Sequence, residues 1–294
     1  GGTRVMAALQ AAGHEVFSLV RRVSSKIRNE IHWNPNAGKI DAEALEDIEA
    51  CIHLAGENIA ERWTTEKKRL ILESRVRGTR LISETLSSLV PLPLTLLCAS
   101  AIGFYGDRGA ETMDETSAAG GGFLSEVCRA WEAETESAAA QGIRVVFLRF
   151  GVVLSAQGGA LAKMLLPFKL GVGGRVGSGS QYMSWIDIED AARAILRALG
   201  EDALRGPLNL VSPQAVTNSD FTAALGSVLG RPTVLPMPAF AARLAFGQLA
   251  DELLLSSIRV APSRLAKSGF RFQYPALEAS LRHVLGAHEM SAAG

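Results

Sequence analysis

Two adjacent arginines, Arg21 and Arg22, close a short apolar segment, and no acidic residue follows them until Glu30. A pair of guanidinium groups can grip a phosphate dianion through charge-assisted hydrogen bonds. In a dinucleotide-binding sheet the end of such a strand either offers a carboxylate to the ribose hydroxyls of NAD or an arginine to the 2′-phosphate of NADP. The dipeptide alone also suits a solvated surface. His53-Leu54-Ala55-Gly56-Glu57-Asn58 follows another apolar run. Its small residues let backbone approach a flat ligand at the carboxyl edge of a sheet, or simply make a tight strand-to-helix turn. Gly2 stands before a helical pattern, as the last glycine of a phosphate-facing turn or as an ordinary helix start.

Other chemistry is poorly served. His14, His32, His53, His283 and His288 are scattered, with no spacing that puts two metal ligands on one helix face. Asp187, Glu189 and Asp190 cluster at a helix entry, where acidic residues favour the dipole. Cys51, Cys98 and Cys128 lie far apart without a Cys-x-x-Cys pair, and read as buried thiols in a reducing, cytoplasmic compartment.

The elements that must position these residues alternate. The spacing predicts a helix over 3–12 closed by Gly13, a strand over 14–20, a short strand over 30–33, an acidic helix over 41–48 and a buried strand over 50–54. A long helix over 64–89, an apolar strand over 94–100, a helix over 122–141 and a strand over 144–149 follow. Strict strand and helix alternation argues a parallel sheet covered on both faces, a Rossmann-like, doubly wound α/β domain over 1–154. The remainder, 155–294, reads as a smaller substrate-side region whose elements partly return to that domain. It holds a helix over 158–170, a glycine-dense loop over 171–179 and helices over 188–199, 219–229 and 239–255. The chain opens on Gly1 and enters a helix at once, so it reads as lacking the first strand of such a sheet.

The 294 residues carry 30 basic and 30 acidic side chains, so no overall field draws in nucleic acid or an anionic membrane. No apolar run approaches the roughly 18 residues of a membrane span. An anion site must be local, and the expected partner is a small molecule; a homo-oligomer is left open.

Leu54-Ala55-Gly56-Glu57-Asn58-Ile59, the run from Ser100 through Tyr105 to Asp107, and Trp185-Ile186-Asp187-Ile188-Glu189-Asp190 occur in this order. A tail containing Val260-Ala261-Pro262-Ser263-Arg264-Leu265 and Gly269-Phe270-Arg271-Phe272 follows. Together they resemble the atypical, epimerase-like extended short-chain dehydrogenase/reductase family, of the 39U type, across essentially the whole chain. The resemblance implies an NADP(H)-binding sheet with Gly2 at the glycine turn and Arg21 and Arg22 at the 2′-phosphate. It places Leu54, Ala55 and Gly56 along the cofactor, Arg75 at a matching helix position, Val153 near the nicotinamide, and Leu70 among the contacts.

The departure lies in the chemistry. That superfamily uses a tyrosine as general acid/base with a lysine four residues later. Here Tyr105, Tyr182 and Tyr274 are followed at that spacing by Gly109, Ile186 and Glu278. Aligned on Trp131-Glu132, the helix puts Leu124 and Cys128 where the pair falls. Ser100 occupies the position of the superfamily's catalytic serine or threonine and also stands among the cofactor contacts. Tyr105 is the remaining proton donor near it, or an aromatic wall. Two functions are expected from this pattern. One is an NADP(H)-dependent oxidoreductase or epimerase-like enzyme acting on a small polar substrate. The other is a cofactor-binding sensor or interaction protein without turnover.

Overall fold

Residues 95–101 show water no polar face, and a strand with that pattern has to lie in the middle of a sheet covered on both sides. In the structure, a computed structural model that describes residues 2–22 and 29–286, this is where they lie. Gly1 and His288 fall outside the described residues.

The first half runs α1 (Gly2–Ala11), β1 (Ser18–Val20), β2 (Glu30–Asn34), β3 (Lys39–Ile40), β4 (Ala50–His53), α2 (Thr65–Ser88), β5 (Thr95–Ala101), β6 (Thr112–Met113), α3 (Phe123–Ala133), α4 (Glu136–Ala140), β7 (Arg144–Phe150) and β8 (Val152–Leu154). The second half runs α5 (Gly159–Lys169), β9 (Tyr182–Met183), β10 (Trp185–Asp187), α6 (Ile188–Gly200), β11 (Gly206–Leu210), β12 (Val216–Thr217), α7 (Asn218–Leu229), α8 (Ala239–Phe246), β13 (Arg259–Val260), α9 (Ser263–Lys267) and α10 (Leu277–Val284).

Strands β11, β7, β5 and β4 form a parallel sheet in that order, with Ser100 opposite Arg149 and Cys98 opposite His53. A neighbouring set joins β1 in parallel to β2, which pairs antiparallel with β3. Helices α1 and α6 cover one face, where Val5, Leu9, Ala194 and Ile195 pack on Leu97, Val146 and Leu148. Helices α2, α3 and α4 cover the other, through Ile82, Leu86, Trp131 and Ala138. Each such fully buried aliphatic side chain contributes about 1.5–3 kcal/mol relative to exposure. The result is a doubly wound, Rossmann-like α/β fold.

Segment 185–210 returns to this sheet: β10 pairs with β8, α6 packs on α1, and β11 becomes the edge strand. Asp187 starts α6 by accepting the amide of Glu189 at 2.8 Å, and the nearly buried Arg144 ends it by donating to the carbonyls of Ala198 and Leu199 at 2.8 Å. A second core gathers Leu161, Phe168, Trp185, Phe221, Leu225 and Leu281 beneath α5, α7 and α10.

Three helices differ from the sequence expectation. The acidic stretch 41–48 makes only a 3-10 turn at Glu43–Leu45, ended by Asp47 with φ 66°. The helix over 122–141 breaks into α3 and α4, because the Thr135 hydroxyl donates to the Glu132 carbonyl at 2.9 Å and competes with the helical ladder. The helix over 239–255 stops at Gly247, whose φ of 61° is left-handed, and resumes as a π-helical turn over Ala250–Leu254. Among the described residues no helix is long and apolar enough to cross a membrane.

Candidate functional site

The carboxyl ends of β1 and β4 open onto one cleft of about 380 Å³. Leu19 enters it from β1, Arg21 from just after β1, Trp33 from β2, and Leu54, Ala55 and Gly56 from the turn after β4. That turn is held by α2: the Ser74 hydroxyl accepts the amide of Glu57 at 3.0 Å, and Arg75 Nη1 donates to the Glu57 carbonyl at 3.1 Å. A Cβ at Gly56 would stand 3.1 Å from the Arg75 guanidinium carbon, so any side chain here would press on that group.

Charge in the cleft is set by these residues. Glu57 is the acidic residue in its lining, and Lys67 takes up its carboxylate at 2.6 Å while also pairing with Glu61 at 2.9 Å. Arg21 is exposed at the mouth, with Arg22 exposed beside it in the chain. Arg75 lies inside, its guanidinium 4.9 Å from the Trp131 ring, and no ion pair engages it among the described residues. Burial pushes its pKa below the usual arginine value, yet a guanidinium stays charged. The cleft thus presents one cation, Arg21, and one neutralised carboxylate, with Arg75 behind its Gly56 wall.

The expected site residues do not all meet there. Leu54, Ala55, Gly56 and Arg21 line the cleft and Arg75 supports it. Leu70 is 39% exposed on α2, one helical turn before Ser74 and on the same stripe. Gly2 begins α1 with open space around it, and Val153 pairs with Ile186 on the neighbouring strands β8 and β10.

Ser100 and Tyr105 are withdrawn instead into a buried polar network. Ser100 Oγ donates to Glu132 Oε1 at 2.7 Å, and Arg149 Nε and Nη2 donate to the two Glu132 oxygens at 2.8 Å each. Arg149 Nη1 also donates to the Tyr105 hydroxyl at 3.0 Å, which in turn donates to Asn209 Oδ1 at 2.7 Å. Tyr105 has no exposed surface, and burial pushes its pKa up against the opposing pull of Arg149. Tyr105, expected as a proton donor or an aromatic wall, has its ring in the core here, and its hydroxyl bonds Arg149 and Asn209. Cys128 packs its thiol 3.6 Å from the Ala101 carbonyl, and burial pushes its pKa up to about 11, so it brings no thiolate to the place aligned with the lysine.

Sequence reasoning missed Ser74, Trp33 and the Lys67 to Glu57 pair, all near the cleft, and the Glu132, Arg149 and Asn209 network. Arg149 was the readable signal, a charge between Leu148 and Phe150 in a strand. The carboxylate cluster of α6 is structural: Asp190 is buried and accepts the amides of Gln273 and Tyr274 at 2.8 Å each. No group of three or more His, Cys, Asp or Glu side chains among the described residues could hold a metal.

This architecture has known relatives. The model of the NAD dependent epimerase/dehydratase family matches residues 1–210, and a domain of unknown function, DUF1731, matches residues 237–284. Epimerase family protein Mb2239 of Mycobacterium bovis is 43% identical over 96% of this chain and 93% of its own length. The crystal structure of human epimerase family protein SDR39U1 with NADPH is similar with a TM-score of 0.87 at 32% identity, covering 97% of this chain and 95% of that one. That of a nucleoside-diphosphate sugar epimerase from Corynebacterium glutamicum has a TM-score of 0.80 at 34% identity, covering 99% of this chain and 59% of that one. The chain belongs to the NAD dependent epimerase/dehydratase family, among relatives of the SDR39U1 type.

Proposed function

We propose that this protein binds NADP(H) in the cleft between β1 and β4 and is an epimerase-like oxidoreductase of the cell interior, acting on a small polar substrate. The observation that carries the cofactor choice is the charge of the cleft: Arg21 stands at its mouth while Lys67 neutralises Glu57. A ribose carrying a 2′-phosphate meets cations there and no competing carboxylate. The turn Leu54-Ala55-Gly56 fits a flat group, since its small residues leave backbone at the surface, and Arg75 and Val153 stand where contacts further along the cofactor are proposed. Human SDR39U1, similar over nearly the whole chain, has been crystallised with NADPH. When bound, the nicotinamide supplies hydride transfer; the chain's own residues orient it and hold its phosphates.

A second reading, binding without turnover, is favoured by one observation. The hydroxyls of Ser100 and Tyr105 are both committed inside the protein, to Glu132 and to Asn209. With its proton on Glu132, Ser100 could offer a substrate only its lone pairs, as a hydrogen-bond acceptor. Two measurements separate the readings. The Arg21→Ala, Arg22→Ala variant is expected to lose NADPH affinity selectively over NADH; unchanged preference would defeat the cofactor assignment. Incubation of the NADPH complex with carbonyl compounds and sugar nucleotides then reads turnover, and stable binding without oxidation or epimerisation favours the second reading.

A further inference from the structure

A separate cavity of about 170 Å³ lies at the carboxyl end of β5, floored by Gly103, Gly106 and Leu124 and roofed by Glu252, Ser256 and Ile258. The cavity is small and partly open to solvent. Yet it sits where this fold places reactants, outside the carboxyl ends of the central strands. A bulky ligand placed there would press against that roof.

The roof is a strap pinned at both ends to the same loop. At its start, Met237 exchanges backbone hydrogen bonds with that loop: its amide donates to Arg175 at 2.8 Å and its carbonyl accepts from Gly177 at 2.9 Å. At its end, the Leu254 carbonyl accepts from Gln181 Nε2 at 2.8 Å, and Ser257 Oγ accepts from the Tyr182 amide at 3.0 Å. The middle of the strap reaches across to the other side of the cavity. The Leu244 carbonyl accepts from Arg62 at 3.1 Å, Gln248 pairs with Lys68 at 3.2 Å, and Leu249 buries itself beside Trp63, Ile71 and Val127. Glu252 reaches furthest, accepting the amides of Phe123 at 3.1 Å and Leu124 at 2.8 Å as well as the Gln248 side-chain amide at 2.8 Å. These amides belong to the first turn of α3, which has no side-chain cap of its own. The strap also bends at Gly247, a left-handed glycine, and continues as a π-helical turn over Ala250–Leu254, a rare geometry.

We propose that residues 238–256 form a lid over this cavity, latched by the Glu252 carboxylate on the N-terminus of α3, and that release of this latch admits the substrate. The ends stay anchored on the loop 175–182 while the middle lifts from Arg62, Lys68 and α3. The inference goes beyond the cofactor reading and does not depend on which nucleotide the other cleft binds.

Native-state amide exchange tests it, because the Phe123 and Leu124 amides report the latch directly. They and the amides of 248–254 are expected to exchange together, at least 10²-fold faster than those of β5, through a local opening. Glu252→Ala should speed exchange in both groups about tenfold or more, the scale of a lost charge-assisted hydrogen bond, with Glu252→Gln between it and the parent and β5 unchanged. Iodoacetamide should alkylate a Leu124→Cys reporter on the cavity floor faster by a similar factor when Glu252→Ala is added, the parent chain with its native cysteines serving as the baseline. Exchange of the lid at the rate of β5, a Glu252→Ala effect spread evenly over the whole chain, or a labelling rate indifferent to Glu252 would each overturn the lid.

Discussion

Arg149 and Glu132 meet in a two-pronged ion pair, with both bonds at 2.8 Å and side chains only 4% and 10% exposed. They join β7 to α3 across the face of the sheet that carries Ser100. A pair this deep is costly to break from one side, because the survivor is left charged and buried.

Glu132→Ala is therefore expected to lower stability by about 3–5 kcal/mol, read as a shift in the urea midpoint. Glu132→Leu combined with Arg149→Met should recover much of that loss, since no buried charge then remains. A single variant as stable as the parent would show that water reaches Arg149 and that the network is not a core element.

Arg75 has no ion pair among the described residues, so its replacement strands no buried counter-ion there. Under the proposed function, Arg75→Met should weaken NADPH binding more than tenfold while costing only about 1–2 kcal/mol of stability, the scale of its bonds to the Glu57 and Ile71 carbonyls. Isothermal titration beside a thermal melt separates the two effects. Intact affinity would remove Arg75 from the proposed cofactor contacts.

The pattern of this chain exposed what depends on neighbours in sequence and hid what depends on distant partners. The buried strand, expected over 94–100 and found at Thr95–Ala101, was readable from its lack of any polar face, and the parallel sheet followed from the alternation around it. Leu54, Ala55 and Gly56 could be placed at a strand end because small residues after an apolar run are a local signal. Tyr105 and Asn209 stand 104 positions apart, and nothing local marks one as the acceptor of the other. Tyr105 therefore reads as either a proton donor or an aromatic wall, and the structure buries its ring. Gly247 shows the opposite failure: helical periodicity continues through it, while its left-handed backbone ends α8 and creates the bend of the strap.

His53 gives a pH prediction. It is 3% exposed, its Nε2 has no hydrogen-bond partner among the described residues, and its ring meets Trp33 edge-on at 5.9 Å. Burial, aided by the charge of Arg75, lowers its pKa from 6.5 to about 4. The unfolded chain then binds the proton more readily than the folded one. The stabilisation is complete above pH 6.5, falls as the pH drops from 6.5 to about 4, and amounts to about 3 kcal/mol across that window. Urea midpoints from pH 7 down to 4 should fall less steeply for His53→Leu than for the parent. Parallel curves would mean that His53 is hydrated in the folded state.

Tyr105→Phe distinguishes core from chemistry at one atom. The ring stays and the hydroxyl goes, leaving Arg149 Nη1 without its acceptor at 3.0 Å and Asn209 Oδ1 without its donor at 2.7 Å. Both groups are buried, so the expected loss is about 1–3 kcal/mol in a urea melt. Because the hydroxyl points into this network and has no exposed surface, NADPH affinity should not change, nor should the rate on any substrate for which turnover is found. General acid catalysis through Tyr105 would instead lower kcat by about 10²-fold or more. A fall of that size with stability intact would mean that the network opens during turnover, and the assignment of Tyr105 to the core would have to be withdrawn.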